Sequence, residues 1–149
     1  MKEIKNKKAY FTYEILEKFE AGISLIGQEV KSIKSGTMNL SSAYVVIRNE
    51  EVFLIGAHIP PYQFKNAPSN YKPERPRKLL LKKAEIRRLI GKTKQKGLTM
   101  VPLRVYSVKG KIKVEFALAK GRGKPDKRRV IKKRETAREI QREQRRFNE

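Results

Sequence analysis

The strongest constraint on the fold is a pair of alternating apolar segments in the second half of the chain. Val101, Leu103 and Val105 alternate with other residues in the first segment, 100–108, and the second segment, 111–119, repeats the pattern. Only Lys109 and Gly110 separate the two. Alternation with a period of two is typical of a strand with one buried face, and a two-residue linker ending in glycine joins antiparallel strands. The sequence therefore predicts a β-hairpin over residues 100–119.

Further strands are predicted upstream of this hairpin. Residues 43–47 and 52–59 are rich in Val, Ile, Phe and Tyr and are separated by four polar residues, so they form a second predicted hairpin of undetermined turn type. Two short apolar segments, 13–19 and 23–26, lie around Ala21 and Gly22 and add to the β content.

Two helices are predicted between these strands. Residues 82–92 place Ile86, Leu89 and Ile90 on one face, the pattern of a surface helix packed by one stripe, and Gly91 is expected near its end. Residues 27–36 fit either a strand or a short helix. The three-residue spacing of two apolar side chains there, with Gly36 placed to end a helix, favours the helix.

Five prolines fall within residues 60–76, which we call the proline segment, and they exclude a regular β-ladder there. The segment and the two residues after it are basic, so an exposed, extended loop is predicted. Five or six short antiparallel strands with inserted helices fit a small closed barrel, because closure removes exposed strand edges. The predicted fold is therefore mainly β with inserted helices, and an antiparallel barrel of the oligonucleotide-binding type is the leading candidate.

The composition changes abruptly after Leu118. Residues 120–149 carry thirteen basic and five acidic side chains and few large apolar ones, too few to offset the entropy of ordering thirty residues. Glu135, Glu139 and Glu143 each precede an arginine by three positions, a spacing that supports a helix. We therefore predict a barrel domain over 1–119 and a basic tail over 120–149 that is disordered in solution and helical when bound.

The formal net charge of +22 points to a polyanionic partner, since such a charge repels itself in a compact chain. A membrane surface is the alternative for the tail, but Ile140 and Phe147 make a thin apolar face for lipid. Nucleic acid is the better prediction. No apolar run of signal-peptide or membrane-spanning length is present, so a cytoplasmic location with no membrane contact is expected.

Enzyme chemistry is not indicated. The chain has no cysteine and a single histidine, His58, so thiol nucleophiles, zinc signatures and a paired nucleophile and base are missing from the sequence, and we predict neither metal nor cofactor. Glu29 is the carboxylate that leaves two interpretations open: a salt bridge to a lysine, or acceptance of hydrogen bonds from bases of an unstacked RNA loop. Among the aromatics, Tyr62, Phe64 and Tyr71 are expected to be exposed as stacking surfaces.

Several segments together resemble the small protein B (SmpB) family, the partners of transfer-messenger RNA. They lie in the family's order and spacing over nearly the whole chain: Asn6 to Ala9, GQEVKSIKSG at 27–36, RKLLL at 77–81, KGLTMVPL at 96–103 and LAKGRGKPDKR at 118–128.

The resemblance implies an oligonucleotide-binding-type barrel that holds the tRNA-like domain of transfer-messenger RNA and brings it to stalled ribosomes for trans-translation. It also implies that elongation factor Tu with GTP escorts the charged RNA. The tail would lie as a helix in the vacant messenger channel, against ribosomal RNA of the decoding site. A cytoplasmic, monomeric, non-catalytic protein is expected.

The resemblance also implies functional residues. RNA-contacting positions fall on Asn6, Lys7, Lys8, Glu29, Lys31, Arg77 and Lys78. Ribosome-acting positions in the tail fall on Gly121, Asp126, Lys127 and Arg128. For Glu29 this favours the RNA contact over the salt bridge. The family usually has His-Asp at Phe11 and Thr12 and a histidine at Lys82, so no role is carried over to those three positions.

Two other functions fit the composition. A structural ribosomal protein would share the basic barrel and the basic arm, and it would accompany all ribosomes in equal number. A nuclease acting on stalled messages would show metal-dependent cleavage.

Overall fold

Residues 1–62, 70–95 and 97–122 are described by the computed structural model. In that part of the chain the strands and helices are, in order, β1 (Ile4–Lys5), α1 (Lys7–Thr12), β2 (Tyr13–Ile23), α2 (Gly27–Lys34), β3 (Tyr44–Arg48), β4 (Glu51–Ile55), β5 (Arg77–Leu80), α3 (Lys83–Thr93), β6 (Leu98–Val108) and β7 (Lys111–Gly121). The prediction of a mainly β fold with inserted helices is confirmed.

The strands form a closed antiparallel barrel. Its ring runs β6–β3–β4–β5–β2–β7, and β7 pairs back to β6, while β1 adds to β6 through Ile4↔Val105. The seam between β3 and β6 is short, with the single pair Val45↔Met100. Closure satisfies the backbone groups of the outermost strands within the sheet, which is why a barrel of this size is stable without a covering layer.

Both predicted hairpins are present, and their turns have the left-handed geometry that matches strand twist. Lys109 and Gly110 have φ angles of 50° and 77° between β6 and β7, and Asn49 and Glu50 have 51° and 62° between β3 and β4. Two successive residues with positive φ define the tight turn favoured in two-residue hairpins. The hairpin over 100–119 extends two residues further at each end than predicted, so β7 reaches Gly121.

The main core fills the barrel interior. Inward side chains of β6 and β7 include Val105, Val114 and Phe116, all fully buried, and Phe116 stacks on Phe19 of β2 with ring centroids 5.5 Å apart. The two longer helices each add a fully buried side chain to this core, Ile33 from α2 and Leu89 from α3. Burial of these side chains provides most of the stabilisation of such a domain.

A second, smaller core lies on the outside of the same strands under α1. Its buried members are Ala9, Val101, Leu103, Ala117 and Ala119. It exists because β2 and β6 each contain a bulge, between Ile15 and Glu17 and between Pro102 and Arg104. A bulge inserts one extra residue and so reverses which face the following side chains occupy. β2 and β6 therefore each supply side chains to both cores.

Several elements differ from the sequence predictions. Helix α1 was not predicted, because six residues are too short to show a helical period and their helix depends on packing against the barrel. Strand β5 begins where the basic loop was expected to continue, and β2 is one strand rather than two short segments. Helix α3 continues through the exposed Gly91 to Thr93, so it does not end at that glycine.

Gly56 offers a test of this packing. Its φ is +76°, and a Cβ atom there would lie 2.8 Å from the carbonyl oxygen of Ser42. We expect Gly56→Ala to lower the free energy of unfolding by roughly 2 kcal/mol or more, from the left-handed backbone and the clash together. Urea denaturation followed by circular dichroism measures the change. Gly27→Ala is the matched control, because nothing lies within 4 Å of that position. Equal unfolding free energies for both variants would contradict the prediction.

Candidate nucleic-acid interface

A buried carboxylate, Glu29 of α2, joins three parts of the chain. Its side chain is 0% exposed. Oε1 accepts the Ile26 backbone N–H at 3.0 Å and a short contact from Arg75 Nη2. Oε2 accepts Arg77 Nε at 2.7 Å and Arg75 Nε at 3.1 Å. The carboxylate therefore fixes the start of α2, the end of the proline segment and the first residue of β5 together.

Arg77 is equally buried, with 0% of its surface exposed. Besides Glu29, its guanidinium donates to the carbonyl oxygens of Ala57 at 2.7 Å and Pro73 at 2.8 Å. A buried charge is tolerated when it is both paired and fully hydrogen-bonded, and the planar guanidinium meets that requirement with a fork of donors. Arg77 thus holds the two ends of the proline segment.

The ionisation of Glu29 follows from these contacts. Burial raises the pKa of the carboxyl, but the hydrogen bonds from Arg75, the Ile26 N–H and Arg77 lower it by more, so the pKa lies below the ordinary value of 4.5. Glu29 is therefore a carboxylate at neutral pH, and its charge is offset by two arginines.

Glu29 and Arg77 were predicted to contact RNA, and the structure brings them together away from solvent. From this position Arg77 does not reach a phosphate, and the oxygens of Glu29 already accept hydrogen bonds from the protein. The alternative of a salt bridge to a lysine is also corrected: the partners are arginines, whose bidentate geometry suits a buried carboxylate better than an ammonium group.

Lys31 and Lys78 have the opposite placement. Lys31 is exposed on α2, and Lys78 is exposed on β5, where strand alternation turns it outward as Arg77 turns inward. Lys78 Nζ lies 3.4 Å from Glu51, a surface pair that water and salt weaken. Both ammonium groups remain accessible to a phosphate.

Asn6, Lys7 and Lys8 lie at the start of α1. The two lysines are exposed, whereas Asn6 is buried, with its Nδ2 donating to Pro102 O at 2.9 Å and its backbone N–H donating to Leu103 O at 2.8 Å. Asn6 and Lys8 open into a cavity of about 310 Å³, which we call the Asn6 groove. Its other lining residues are Ala9, Thr12, Tyr13, Ser41, Ser42, Ala43, Tyr44, Thr99 and Val101.

A second cavity of about 370 Å³, the Leu80 hollow, was missed by the sequence analysis. It is lined by Gly22, Ile23, Leu25, Val30, Leu80, Gly110, Lys111, Ile112 and Lys113. Leu80 is 53% exposed, and it lies against the bare backbone of Gly22, whose missing Cβ would sit 3.3 Å from that of Leu80. The detectable signal is the three leucines between Lys78 and Lys82, but only Arg77 and Lys78 of β5 were interpreted, as the end of the basic loop.

Beside this hollow the outer face of the barrel carries carboxylates. Lys113 pairs with Tyr106 in the β6–β7 register, and the Tyr106 hydroxyl donates to Glu20. Burial, then the hydrogen bond and charge of Glu20, raise the pKa of Tyr106 to about 12, so it stays a donor. Arg104 lies 4.2 Å from the centre of the Tyr106 ring and pairs with Glu115 at 3.1 Å. This face therefore offers cations and acceptors side by side.

The aromatic predictions have mixed outcomes. Tyr62 is exposed as predicted, Tyr71 is half-buried because its hydroxyl donates to Ile59 O at 2.7 Å, and Phe64 lies outside the described residues. Tyr10 and Tyr44 are also exposed, and neither had been selected. Stacking surfaces are thus available on the α1 side of the barrel.

His58, the single histidine of the sequence, belongs to no metal-binding group among the described residues. His58 is exposed, with Nδ1 3.4 Å from Glu74. Within residues 1–62, 70–95 and 97–122 no group of three or more His, Cys, Asp or Glu side chains is arranged to hold a metal ion. The helices of the same residues are each too short or too polar to cross a membrane.

The predicted ribosome-acting residues are only partly described. Gly121 is exposed at the end of β7, opposite Tyr13 of β2, and the next residue, Arg122, donates its backbone N–H to Thr12 O at 3.0 Å. Asp126, Lys127 and Arg128 lie outside the described residues. Their roles stay predictions.

A closed antiparallel barrel with exposed lysines, exposed tyrosines and an apolar hollow rimmed by lysines defines a nucleic-acid-binding barrel protein. Residues 3–146 match the family described as SmpB protein. The chain therefore belongs to the SmpB family.

Individual relatives are similar over most of their length. The chain is 55% identical to the SsrA-binding protein of Syntrophobacter fumaroxidans, covering 92% of this chain and 84% of that one. It is 52% identical to the SsrA-binding protein of Trichormus variabilis, covering 92% and 88%. A solved structure described as "tmRNA-SmpB: a journey to the center of the bacterial ribosome" contains a chain 41% identical to this one. The TM-score is 0.68, with 87% of this chain and 94% of that chain covered.

The buried cluster generates a prediction with a pH signature. At pH 7, Glu29→Gln should lower the free energy of unfolding by about 3–5 kcal/mol, because it leaves two guanidinium groups without their counter-charge. The folded pKa of Glu29 lies below 4.5, so this stabilisation is present above pH 4.5 and is lost as the pH falls through the folded pKa. The difference between the unfolding free energies of wild type and variant should therefore shrink as the pH falls below 4.5.

Urea unfolding at pH 7 and at low pH measures both values. Glu51→Gln, which removes an exposed carboxylate 3.4 Å from Lys78, serves as the control and should change little. A Glu29→Gln difference that is the same at both pH values would show that the ion pairs are not its source.

Proposed function

We propose that this protein binds the tRNA-like domain of transfer-messenger RNA and delivers it to stalled ribosomes for trans-translation. Relatives at about half identity over nearly the whole chain are SsrA-binding proteins, and the similar solved structure is of tmRNA-SmpB. The protein acts as an RNA-binding factor without catalysis, in the cytoplasm and as a monomer. Elongation factor Tu with GTP acts through the charged RNA.

The observation that carries this proposal is the Leu80 hollow with its two lysines. An unstacked nucleotide of a folded RNA loop presents an apolar base face and a phosphate a few ångströms apart. Leu80 and the backbone of Gly22 provide an apolar surface for the base face. Lys111 and Lys113 provide positive charge for the phosphate at the rim of the hollow. Nearby, Glu20 adds an acceptor for a base edge and Tyr106 adds an aromatic ring for a base face.

The remaining predicted RNA contacts take roles that fit their exposure. Lys31 and Lys78 are exposed and are proposed as phosphate contacts. Glu29 and Arg77 are proposed to act indirectly, by fixing α2 and β5, which carry those lysines. Lys7 and Lys8 lie at the other end of the barrel with Asn6.

The Leu80 hollow and the start of the tail lie at opposite ends of the β2–β7 pair. Gly22 pairs with Lys113 at the hollow, and Tyr13 pairs with Gly121 where the tail begins. Nine residues of strand span roughly 30 Å. One end is therefore proposed to hold transfer-messenger RNA while the tail, through Gly121, Asp126, Lys127 and Arg128, contacts ribosomal RNA as a helix.

Loss of the hollow's lysines tests the proposed surface. The double variant Lys111→Ala/Lys113→Ala should bind the tRNA-like domain about tenfold or more weakly and reduce the slope of log affinity against log salt by about 2. Fluorescence titration at several salt concentrations measures both. Lys83→Ala/Lys94→Ala, which removes the same charge from the first residue of α3 and from the residue that follows the helix, is the matched control and should have a clearly smaller effect.

Specificity is measured in the same assay, with an unrelated folded RNA of equal length as competitor. A preference of roughly 100-fold, about 2.7 kcal/mol, for the tRNA-like domain supports the proposal. Equal binding of the two RNAs would favour a structural ribosomal protein, and equal effects of the two double variants would remove the hollow from the interface.

Deletion of the residues beyond Gly121 tests the division of labour. Affinity for the tRNA-like domain should stay within about threefold at near-physiological salt, since the proposed contacts lie in the barrel. Tagging of incomplete peptides by stalled ribosomes should be lost. The measurements are RNA binding and a tagging assay with the same protein preparation, and a weakening of RNA binding by about 100-fold would contradict separate roles.

A further inference from the structure

Helix α3 borders a cleft, and the helical wall of this cleft takes no part in the proposed RNA contacts. Four residues of α3 share the face that lines it, since they lie three or four positions apart: Lys83, Ile86, Arg87 and Ile90. The face borders two adjoining cavities of about 610 and 150 Å³, which together we call the α3 cleft. Glu50, at the turn between β3 and β4, lines both cavities from the barrel side. The cleft therefore lies between a helix and a hairpin turn.

The floor of the cleft is apolar. Leu79, which lines it, is buried in the main core, and Leu81 and Ile86 are half-buried against that core. Ile90 extends the apolar strip along α3, although it belongs to neither core. A half-buried isoleucine outside both cores gains apolar contacts from a ligand that covers it.

One rim of the cleft is cationic. Lys82, Lys83 and Arg87 are exposed, and none of them pairs with a carboxylate within residues 1–62, 70–95 and 97–122. The positive end of the helix dipole adds to their charge, because Lys82 and Lys83 lie at the N-terminus of α3 and Lys82 makes no capping hydrogen bond. Glu85 in the first turn offsets part of this charge. Lysines at this end of a helix are unfavourable for its stability, so their placement indicates a role in binding an anionic group.

The other rim is anionic. Glu50 and Glu51 are exposed, and Lys78 lies 3.4 Å from Glu51. Glu50 has a φ angle of 62°, whereas the equivalent turn between β6 and β7 has Gly110 at 77°. Glycine is the preferred residue at this position of a two-residue turn. A carboxylate is therefore held at the edge of the cleft in a backbone conformation that disfavours it.

These features fit a protein segment better than RNA. None of the described residues that line the cleft is aromatic, so bases have no ring to stack on there, and Glu50 repels phosphates. A peptide, in contrast, presents carboxylates to the cationic rim and apolar side chains to the floor at the same time. The larger cavity, about 610 Å³, lies within the range of roughly 300–1,000 Å³ for binding pockets.

We propose that the α3 cleft is the docking site of a partner protein whose docking segment is acidic and amphipathic. Apolar side chains of the segment pack on Ile86 and Ile90, and its carboxylates pair with Lys83 and Arg87. Glu50 disfavours segments that carry carboxylates on both sides. The inference goes beyond the proposed function. Leu80 lines both the cleft and the Leu80 hollow, so the partner protein and the RNA are bound side by side.

The first experiment uses a synthetic helical peptide with leucines along one face and glutamates beside them. A peptide of the same composition, with the leucines spread around the helix, is its control. Chemical-shift changes in the full-length ¹⁵N-labelled protein are expected at residues 49–52 and 83–90, with about tenfold or tighter binding of the amphipathic peptide. Equal affinity for the two peptides, or shifts at exposed lysines throughout the barrel, would overturn the inference.

Variants of the cationic rim test the same binding. Lys83→Ala/Arg87→Ala should weaken binding of the amphipathic peptide about fivefold or more, because two rim charges are lost. Lys34→Ala/Lys94→Ala is the matched control, since it removes the same charge from exposed positions that do not line the cleft. Equal losses for the two double variants would contradict the proposal.

Affinity for the tRNA-like domain separates this inference from the proposed function. Lys83→Ala/Arg87→Ala should leave that affinity within about twofold at near-physiological salt. A loss comparable to that of the peptide would assign the cleft to RNA and overturn the inference. A wild-type protein that does not prefer the tRNA-like domain over an unrelated RNA would count against the proposed function alone.

A photo-crosslinking experiment identifies the natural partner. Arg87→p-benzoylphenylalanine in the full-length protein is irradiated in bacterial cells, and the crosslinked peptide is sequenced by mass spectrometry. The expected product is a protein segment with more Asp and Glu than Lys and Arg, and its yield should fall when Lys83→Ala is added. Crosslinks to RNA alone, or no crosslink above that of Lys94→p-benzoylphenylalanine, would show that no such protein docks in the cleft.

Discussion

The hydrogen bonding of β7 along both of its edges is the interaction on which the rest of the structure depends. β2 lies on one side of it and β6 on the other, over nearly its full length, and this double pairing closes the ring. Between β3 and β6 the ring is completed by the single pair Val45↔Met100, a much shorter contact. Because the three long strands are held as one unit, the groove at one end and the hollow at the other keep a fixed separation.

Within the barrel, the ion pairs of Glu29 determine where several exposed lysines lie on the surface. The chain carries a large positive charge, and yet two arginines, the buried Arg77 and the half-buried Arg75, pair with the buried carboxylate of Glu29. This places the ends of the proline segment and turns Lys78 outward while Arg77 points inward. The exposed lysines near α2 and β5 therefore owe their positions to an ion cluster centred on the buried Glu29 and Arg77.

Strand patterns carried most of the predictable information. The hairpin over 100–119 was evident because alternation and a Lys-Gly turn agree locally. Helix α1 was not predictable, since its six residues are helical only against the second core. The partners of Glu29 lie 46 and 48 residues further along the chain, so no local rule distinguishes them from the nearby lysines. Prediction of the Leu80 hollow depends in turn on recognising β5, whose four residues directly follow the proline segment.

The bulges in β2 and β6 determine which core each side chain of these strands enters. Each bulge interrupts the alternation of side chains along its strand. On one side of the bulge the odd-numbered residues face α1, and on the other side the odd-numbered residues face the barrel interior. Ile15 and Phe19 are an even number of residues apart but belong to different cores. The two halves of each of these strands therefore pack their odd-numbered side chains into different cores. The single extra residue between the halves is as necessary to the fold as any side chain in either core.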